Sequence, residues 1–472
     1  MESRPGIIYV DLDRTLICVD LFSEGLLTGI LRNPALLFQA AVWLAQGGRV
    51  LAKTELARRY PVDAAQLPYN EEMLRFLKEE RERGARLVLA TAAPEAWAQS
   101  VAGHLGIFER VLATDSVRGN LKGKRKLEFI LRDSGGQAFG YAGDAWADRP
   151  ILEACDLPIV VGASAEIAGR NMEKALLIDR NISGARPWWK ALRPHQWSKN
   201  LLIFAPVVAA HQVLQLGWQA LASFFAFSFV ASAFYLLNDL HDIDFDRRHT
   251  EKRLRPLAAG TLQPVTALVL STLLLVLASV IARHLPVRYT LILLCYGVVT
   301  VAYSAKIKKM LILDLVTLAF LYCLRVFAGG AGCAVTVSSW LFSFIFFLAL
   351  SLAHLKRYVE LDERSRKGLN PAARPVYAAE DAPFLAQIGI ASGLISVLVS
   401  ALYVTSTLTS PIYKMPKLLF LMCVLLFYWV ERIWLFATRA RISGDPITFI
   451  VRDPISYAIV TLCLLIMWIA AY

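Results

Sequence analysis

The sequence has few cysteines, and none of them forms a recognisable metal or disulfide motif. Seven are scattered through 472 residues, with no CxxC pair and no histidine at the spacing of a metal ligand. A zinc module and a disulfide scaffold are therefore excluded, and the cysteines are expected to be reduced packing residues. They are Cys18, Cys155, Cys295, Cys323, Cys333, Cys423 and Cys463.

A secretory signal peptide is also lacking. Residues 1–6 lead directly into a short apolar strand that is followed by acidic residues. A signal peptide would instead have a basic start and a longer apolar core. The N-terminal part of the chain is therefore expected to remain in the cytoplasm.

Long apolar runs are absent from residues 1 to about 185 but frequent after Asn200. The chain is 56% apolar, which is too apolar for a soluble protein of this length. Runs of about 17 to 22 residues are long enough to span a bilayer. We predict nine spans, near 200–214, 218–237, 265–283, 289–305, 311–329, 338–354, 384–406, 416–437 and 454–472. The first is the weakest, because Pro206 interrupts it and His211 lies near its end.

Lysine and arginine are distributed unevenly between the two sets of connections. The connections after spans two, four, six and eight hold seventeen, whereas the opposite connections hold four. The positive-inside rule places the first set of connections and the N-terminal domain on the cytoplasmic side of a bacterial-type inner membrane, and the C-terminus on the outer side. The net charge of +12 then needs no nucleic acid to explain it. A basic cytoplasmic face suits anionic headgroups and phosphorylated substrates.

The N-terminal domain carries acids at the end of its first strand. The segment "GIIYVDLDRTL" places Asp11, Asp13 and Thr15 there, where open α/β sheets bind ligands and where paired carboxylates can hold a cation while one attacks phosphorus. The segments "RLVLATAA", "LKGKRKLEFIL" and "FGYAGDAWADRPIL" follow in order. Together they resemble the haloacid dehalogenase superfamily of aspartate phosphatases. The resemblance implies a Rossmann-like α/β phosphatase domain over residues 1–185.

The same resemblance implies roles for individual residues. Asp11 would be the nucleophile, and Asp13 would protonate the leaving alcohol and then activate water. Thr91 and Lys126 would bind the phosphoryl oxygens, with Lys122 and Lys124 as alternatives to Lys126. The Mg²⁺ ligands would come from Asp11, Asp13, Asp144 and Asp148. Arg14 stands where the family usually has glycine and is expected near the substrate entrance.

Residues 18 to about 85 are expected to form a helical cap on this domain. Their segment "LFSEGLLTGILRNPALLFQAAVWLAQGG" is unusually apolar, but it is short and is broken by Arg32 and Pro34, so it is not predicted to span a bilayer. Packing within the cap is the favoured explanation. A cap that touches the bilayer to admit a lipid-linked phosphate is the alternative.

The segment "LLNDLHDIDFDRRHTEKRLRP" gathers many charges directly after an apolar run. In a helix, Asn238, Asp242 and Asp246 recur at every fourth position and Asp239 lies about 100° away, so these side chains share one face while Asp244 points elsewhere. Mg²⁺ is usually held by a few carboxylates together with substrate phosphate oxygens. The spacing therefore predicts a platform for Mg²⁺ rather than an ordinary charged loop.

This NDxxDxxxD pattern resembles the UbiA superfamily of intramembrane prenyltransferases, over about residues 190–472. The resemblance implies an all-α, nine-helix membrane domain from residue 186 onward. Asp239, Asp242 and Asp246 would act on a donor diphosphate, and Asn238, Asp242 and Asp246 would bind Mg²⁺. Most members carry a second acidic motif, DxxxD, after the sixth span, and it is absent here. The corresponding segment is "HLKRYVELDER".

In lacking this second motif, the sequence resembles one branch of the superfamily, the decaprenyl-phosphate phosphoribosyltransferases. The branch implies phosphoribosyl pyrophosphate as the donor and a polyprenyl phosphate as the acceptor. The implied substrate-binding residues in the membrane domain are Lys199, Tyr303, Lys308, Arg325, Lys356, Arg357 and Glu360. For a single base, the positive-inside rule is an equally good explanation. Arg325 is different, because a charge inside a span is costly without a partner or a hydrated cavity.

The fusion of the two domains predicts a bifunctional enzyme. The membrane domain would transfer 5-phosphoribose to polyprenyl phosphate, and the phosphatase domain would remove the 5-phosphate. One alternative is a prenyltransferase that joins an isoprenoid diphosphate to an aromatic acceptor, and another gives the phosphatase a separate soluble substrate. A transporter is a third, although it leaves the phosphatase domain without a role. The sequence leaves the oligomeric state open.

Overall fold

The structure is a computed structural model that describes residues 5–115, 117–180, 186–249, 251–366, 376–406, 409, 412–442 and 444–472. It divides into two compact units. The first unit comprises Met1–Arg193 and Tyr235–Thr272, and the second comprises Pro194–Phe234 and Leu273–Tyr472. The acidic segment predicted to bind Mg²⁺ thus belongs to the same unit as the N-terminal domain.

The N-terminal domain contains a six-stranded parallel sheet. Its strands are β1 (Ile7–Val10), β2 (Arg86–Pro94), β3 (Arg110–Thr114), β4 (Phe139–Gly143), β5 (Leu157–Val161) and β6 (Leu176–Ile178). Their order is β3-β2-β1-β4-β5-β6, and every neighbouring pair is parallel. The order reverses between β1 and β4, which is where open α/β sheets bind ligands. The predicted Rossmann-like fold is confirmed.

Helices surround this sheet and extend it into a cap. They are α1 (Leu21–Arg32), α2 (Ala35–Arg59), α3 (Glu71–Glu82), α4 (Glu95–Leu105), α5 (Lys124–Ser134) and α6 (Arg149–Ala154), and α7 (Arg186–Leu192) follows the domain. Side-chain caps stabilise the first turns of α1 and α3. Asp20 accepts a hydrogen bond from Ser23 N, and Asn70 accepts one from Met73 N. Such caps satisfy amide groups that a helix start leaves without partners.

The sheet is buried on both faces, as expected for parallel strands. On one face, Ile8 and Val10 of β1 share a hydrophobic core with Leu36 and Trp43 of α2. On the other face, Ile7 and Tyr9 belong to a second core. The buried side of α2 therefore packs into the same core as the sheet.

Among the described residues, nine helices are long and apolar enough to cross a membrane. Eight coincide with predicted spans: α9 (Val213–His241), α11 (Pro264–Ala282), α12 (Val287–Ala305), α13 (Leu313–Gly332), α14 (Ser339–Arg366), α15 (Ala382–Thr405), α16 (Phe420–Thr438) and α18 (Pro454–Ala471). Shorter helices are α8 (Ala205–Ala209), α10 (Ile243–Arg247) and α17 (Pro446–Ile450). Large side chains on α12, such as Leu294 and Val298, are more than half exposed, as lipid contact requires. The chain is a multi-pass membrane protein.

The predicted first span, 200–214, does not form one long helix. A 3₁₀ helix covers Pro194–Phe204, and α8 then ends at Ala209. Pro206 lies in the first turn of α8, where proline is tolerated because the amide donor that it lacks would have no partner within the helix. After α8, His211 has a φ of 54°. This part of the prediction was wrong in its helix length.

The ninth candidate helix is α2, which lies in the cap. Its backbone is not continuous, because Gly47 and Gly48 have non-helical dihedral angles and Gly48 has a φ of 64°. The part before Gly47 is about 18 Å long at ~1.5 Å per residue, whereas the apolar core of a bilayer is about 30 Å thick. We therefore treat α2 as a cap helix and not as a span.

Candidate active sites

Three predicted phosphatase residues meet at the carboxyl edge of the sheet. Asp11 follows β1, Asp144 follows β4, and Asp148 ends a short 3₁₀ helix, Trp146–Asp148. One carboxylate oxygen from each lies within 4.8 Å of the others. Within the described residues, they form the only such group of three acidic, histidine or cysteine side chains. Asp13 lies outside the group, and its predicted role as a metal ligand stays a prediction.

Lys126 is the lysine of this centre. Its Nζ lies 3.0 Å from Asp11 Oδ2 and 3.3 Å from Asp148 Oδ1. The side chain is buried, whereas Lys122 and Lys124 are exposed. Burial lowers the pKa of Lys126, but the two carboxylates outweigh burial and raise the pKa above its usual value. A lysine held in its charged form beside Asp11, the predicted nucleophile, can bind an anionic phosphoryl group.

Asp13 has the environment of a general acid. Its Oδ1 accepts a hydrogen bond from Leu21 N at 2.9 Å. Burial, together with the negative charges of Asp20 and Asp11, raises the pKa of Asp13 well above its usual value. A raised pKa favours the protonated form of a carboxyl group, which is the form that can donate a proton to a leaving alcohol.

Thr91 is buried at the end of β2, and its Oγ1 accepts a hydrogen bond from Ala93 N at 3.0 Å. The hydroxyl can still donate, because its proton is not used in that bond. Its predicted phosphoryl contact stays a prediction.

Two arginines approach Asp144, and the sequence interpretation missed one of them. Arg180 Nη1 lies 3.4 Å from Asp144 Oδ2, and Arg14 Nε lies 3.7 Å from the same atom. Burial and the charge of Asp11 raise the pKa of Asp144 to about 6, although both arginines oppose the rise. Arg14 has a φ of 60°, a region that favours glycine, which fits the glycine that the family resemblance implies at this position.

The acidic segment follows a nearly helical path after α9. Asp242 N donates to Asn238 O at 2.9 Å, and Asp246 N donates to Asp242 O at 2.8 Å. The helix is interrupted at Asp242, whose φ and ψ are −98° and 12°, before α10 begins. Asn238 Nδ2 lies 3.5 Å from Asp242 Oδ2. The oxygen-bearing side chains of the predicted platform are thus arranged along about two turns of chain.

Arginines neutralise two of these acids. Arg193 Nη2 contacts both oxygens of Asp239 at 2.6 and 2.7 Å. Arg255 Nη1 bridges Asp239 Oδ1 at 3.1 Å and Asp246 Oδ2 at 2.6 Å. Burial raises the pKa of Asp246, and Arg255 opposes that rise. Neither Arg193 nor Arg255 was assigned to a site from the sequence.

The acidic segment is tied to the phosphatase cap within the same unit. Arg247 of α10 makes a bidentate ion pair with Glu24 of α1, with N–O distances of 2.6 and 2.8 Å, and both side chains are buried. Gln263 Nε2 also donates to Cys18 O at 2.9 Å. No sequence spacing could have revealed this pair, because its members are 223 positions apart.

We expect Glu24→Ala to destabilise the protein strongly. It would leave Arg247 buried without its partner, which costs about 3–5 kcal/mol. Asp63→Ala is the matched control, because it removes an exposed ion pair with Arg248 that is worth about 0–1 kcal/mol. Thermal denaturation of the purified protein measures both effects. Equal melting temperatures for the two variants would contradict the assignment.

In the second unit, Arg357 is the centre of a polar network. Its Nε donates to Asp314 Oδ2 at 3.0 Å, and its Nη1 donates to Glu360 Oε2 at 2.6 Å. Its Nη2 donates to Tyr303 OH at 3.3 Å, and Tyr377 OH donates to Asp314 Oδ1 at 2.6 Å. The structure thus brings three predicted residues together, Arg357, Glu360 and Tyr303, and adds Asp314 as a buried acid that the sequence interpretation did not assign.

Arg325 is buried in α13 beside neutral groups. Its Nε donates to Asn200 Oδ1 at 2.9 Å. Its guanidinium carbon lies 5.2 to 5.3 Å from the ring centres of Phe227, Tyr296 and Tyr322. Cation–π contacts of this kind are worth about 2 kcal/mol or more away from water. The aromatic groups therefore offset part of the cost of burying this charge.

Lys199 lies at a large apolar cavity of the second unit. The cavity has a volume of about 710 Å³, and its walls include Lys199, Tyr322, Trp340 and Trp429. Lys199 Nζ lies 3.6 Å from Asp445 Oδ2. The charges of Lys356 and Arg325 are close enough to act on Lys199, so these three predicted bases share one neighbourhood.

Lys308 lies half-buried on the short 3₁₀ helix Ile307–Lys309 after α12. The structure does not single it out from its neighbours.

These features define two classes of domain in one chain: a hydrolase-like domain with acidic residues at the edge of a parallel sheet, and a helical membrane domain of the transferase class with an acidic segment at a helix end. The chain belongs to the UbiA prenyltransferase family, whose model matches residues 201–471. The model of the haloacid dehalogenase-like hydrolases matches residues 8–153. Both resemblances drawn from the sequence are confirmed.

Three curated relatives are similar to parts or most of the chain. The uncharacterized protein y4nM of Sinorhizobium fredii is 32% identical over 461 residues, which are 95% of this chain and 88% of that protein. The nodulation protein NoeC of Azorhizobium caulinodans is 33% identical over 271 residues, 56% of this chain and 86% of that protein. The decaprenyl-phosphate phosphoribosyltransferase of Mycolicibacterium smegmatis is 34% identical over 185 residues, 38% of this chain and 58% of that protein.

Proposed function

We propose that the protein transfers 5-phosphoribose from phosphoribosyl pyrophosphate to a polyprenyl phosphate and then removes the 5-phosphate. The observation that carries the proposal is the Arg357 network, which occupies the place where conventional prenyltransferases of this family have a second acidic motif. Asp314 and Glu360 hold the guanidinium of Arg357 in place, and its remaining N–H groups can bind an additional phosphate of the substrate. The similarity of the membrane domain to decaprenyl-phosphate phosphoribosyltransferases supports the same substrates.

The acidic segment is proposed to hold the donor pyrophosphate. Mg²⁺, bound through Asn238, Asp242 and Asp246, would neutralise charge on the pyrophosphate as it leaves. The segment supplies carboxylate and amide groups, which are the kinds of ligand that Mg²⁺ prefers, and Asn238 and Asp242 are close enough for Nδ2 of the first to lie 3.5 Å from Oδ2 of the second. Arg193 and Arg255 already lie against the acids, so we assign them to the departing pyrophosphate as well.

The transfer step exchanges one bond at the sugar. The C1–O bond to pyrophosphate breaks, and an oxygen of the lipid phosphate forms a new bond to C1. Lys199, Lys356 and Arg325 are proposed to hold the lipid phosphate in position, because the charges of Lys356 and Arg325 both act on Lys199. The apolar cavity beside Lys199 is large enough for several isoprene units of the lipid chain, and most ligand pockets have volumes of about 300–1,000 Å³.

Tyr303, Lys308, Arg357 and Glu360 are assigned to the sugar phosphate of the donor. Arg357 holds the carboxylate of Glu360 and the hydroxyl of Tyr303 in fixed positions. A phosphate could accept hydrogen bonds from the guanidinium, while a carboxylate accepts one from a ribose hydroxyl.

The phosphatase domain is proposed to act on the product. Asp11 attacks the phosphorus of the 5-phosphate. The bond between phosphorus and the oxygen on C5 breaks, and Asp13 gives its proton to that oxygen. Asp13 then takes a proton from the water that releases inorganic phosphate from Asp11. Mg²⁺ held by Asp11, Asp144 and Asp148 would neutralise the phosphoryl oxygens. The closeness of these three carboxylates fits the ion.

We assign both reactions to the cytoplasmic side of the membrane. The acidic segment connects α9 to α11 and carries five of the seventeen bases that the positive-inside rule places in the cytoplasm. The 3₁₀ helix Pro194–Phe204 rises ~2.0 Å per residue and α8 rises ~1.5 Å per residue, so the two together are about 30 Å long. That length lets them cross the bilayer ahead of α9, with the C-terminus outside.

Lys126→Met should lower hydrolysis of a soluble phosphate ester about 10²- to 10³-fold, because the phosphoryl oxygens lose a fixed positive charge. Lys122→Met is the matched control, since Lys122 is exposed and should keep its activity. Melting temperatures measured alongside separate loss of catalysis from loss of folding. A folded Lys126→Met variant with the activity of the control would remove Lys126 from the mechanism.

The donor and acceptor can be tested directly with purified protein and Mg²⁺. One reaction contains labelled phosphoribosyl pyrophosphate and polyprenyl phosphate, and the other contains labelled prenyl diphosphate and an aromatic acid. The proposal predicts a labelled sugar lipid in the first reaction and no product in the second. The reverse result would show a conventional prenyltransferase and would overturn the phosphoribosyl assignment.

A further inference from the structure

One face of the cap helix α2 is apolar and unpartnered. Leu37, Phe38 and Leu44 are 63%, 76% and 48% exposed, and Ala41 and Ala45 between them are also exposed. On a helical wheel these five residues lie within an arc of about 120°, and no charged residue interrupts it. We call them the apolar cap face.

Packing of the cap does not account for this face. The side of α2 that packs into the domain core carries Leu36, Ala40 and Trp43, which lie on a different arc. An arc of large exposed apolar side chains is uncommon on a soluble domain and usually marks an interaction site.

The cap is fastened to a segment that lies at a membrane surface. The acidic segment connects α9 to α11, and both helices are apolar and long enough to cross a membrane. Arg32, at the end of α1, contacts Asp244 at 3.0 Å, and Glu24 of the same helix holds Arg247. The hairpin of α1 and α2 is therefore anchored within a few residues of a membrane helix end.

We propose that the apolar cap face docks onto the cytoplasmic surface of the bilayer that the chain itself spans. An amphipathic helix in this position inserts its apolar face about 5–10 Å into the boundary between headgroups and acyl chains. Arg49, which is exposed just after this face, suits anionic headgroups. Docking of the apolar cap face onto the bilayer does not depend on which sugar or lipid the enzyme uses. A cap at this depth would present the phosphatase centre to substrates with a lipid anchor.

The proposal can be tested by the depth of a probe in nanodiscs. Phe38→Cys is introduced into the full-length chain after the seven native cysteines have been replaced, and the new thiol is labelled with the fluorophore NBD. Leu44→Cys is a second position on the same face. Leu131→Cys is the matched control, because Leu131 is an exposed leucine on α5 of the same domain.

Lipids that carry a doxyl quencher near the headgroup should reduce NBD fluorescence at positions 38 and 44 at least about twofold more than at position 131, because only a probe near the upper acyl chain meets the quencher. Equal quenching at all three positions would overturn the proposal. A blue-shifted emission at position 38 without lipid quenching would also overturn it, because it would indicate a protein partner such as a second copy of the chain.

Discussion

Asp11→Asn should make the enzyme accumulate a lipid that still carries the 5-phosphate. The amide cannot attack phosphorus, so we expect hydrolysis to fall about 10³-fold or more. Transfer of phosphoribose should continue, because the acidic segment and the Arg357 network are unchanged. Lipid chromatography of the products, with labelled phosphoribosyl pyrophosphate as donor, measures both steps in one reaction.

Asp156→Asn is the control for this experiment. Its carboxylate accepts a hydrogen bond from Phe139 N at 3.0 Å, at the start of β4 and therefore at the edge of the sheet opposite Asp144. It should produce the dephosphorylated lipid as the wild type does. An Asp11→Asn variant that still releases inorganic phosphate from the lipid would contradict the assigned nucleophile.

Asp242→Asn should abolish transfer and leave the phosphatase intact. Loss of one carboxylate from a platform that neutralises pyrophosphate should lower the transfer rate about 10²- to 10³-fold, since charge stabilisation at the leaving group is usually a large part of catalysis. Hydrolysis of a soluble phosphate ester should be unchanged, because this reaction uses Asp11 and Lys126. The two activities are measured on the same preparation.

Asp244→Asn provides a matched control two residues away. The side chain of Asp244 is 56% exposed and pairs with Arg32, so it should not contribute to the platform. We expect this variant to keep its transfer activity. Equal losses in Asp242→Asn and Asp244→Asn would mean that the segment acts through its total charge and not through a defined site.

The parts of the structure that depend on local spacing were predictable from the sequence. The resemblance to the haloacid dehalogenase superfamily pointed to Lys126, and the structure places it against Asp11. The end-of-strand positions of Asp11 and Asp144 were also predictable, because an apolar run followed by an acid marks the carboxyl end of a buried strand.

The partners of these residues were not predictable, because long-range ion pairs leave no local pattern. Arg180 approaches Asp144 from a segment 36 positions away, and Arg193 reaches Asp239 across 46 positions. Each looks like an ordinary surface base in the sequence. The first predicted span failed for another reason: hydropathy measures apolar length but not the backbone, and Pro206 divides that run between two short helices.

The central claim is that one chain both attaches phosphoribose to a lipid and removes its phosphate. The most direct measurement uses phosphoribosyl pyrophosphate with ¹⁴C in the ribose and ³²P in the 5-phosphate, and follows both labels in the lipid extract. We predict that wild type leaves ¹⁴C in the lipid and releases ³²P as inorganic phosphate, whereas Asp11→Asn retains both labels in equal amounts. A wild-type lipid that keeps ³²P and ¹⁴C in equal amounts would contradict the account.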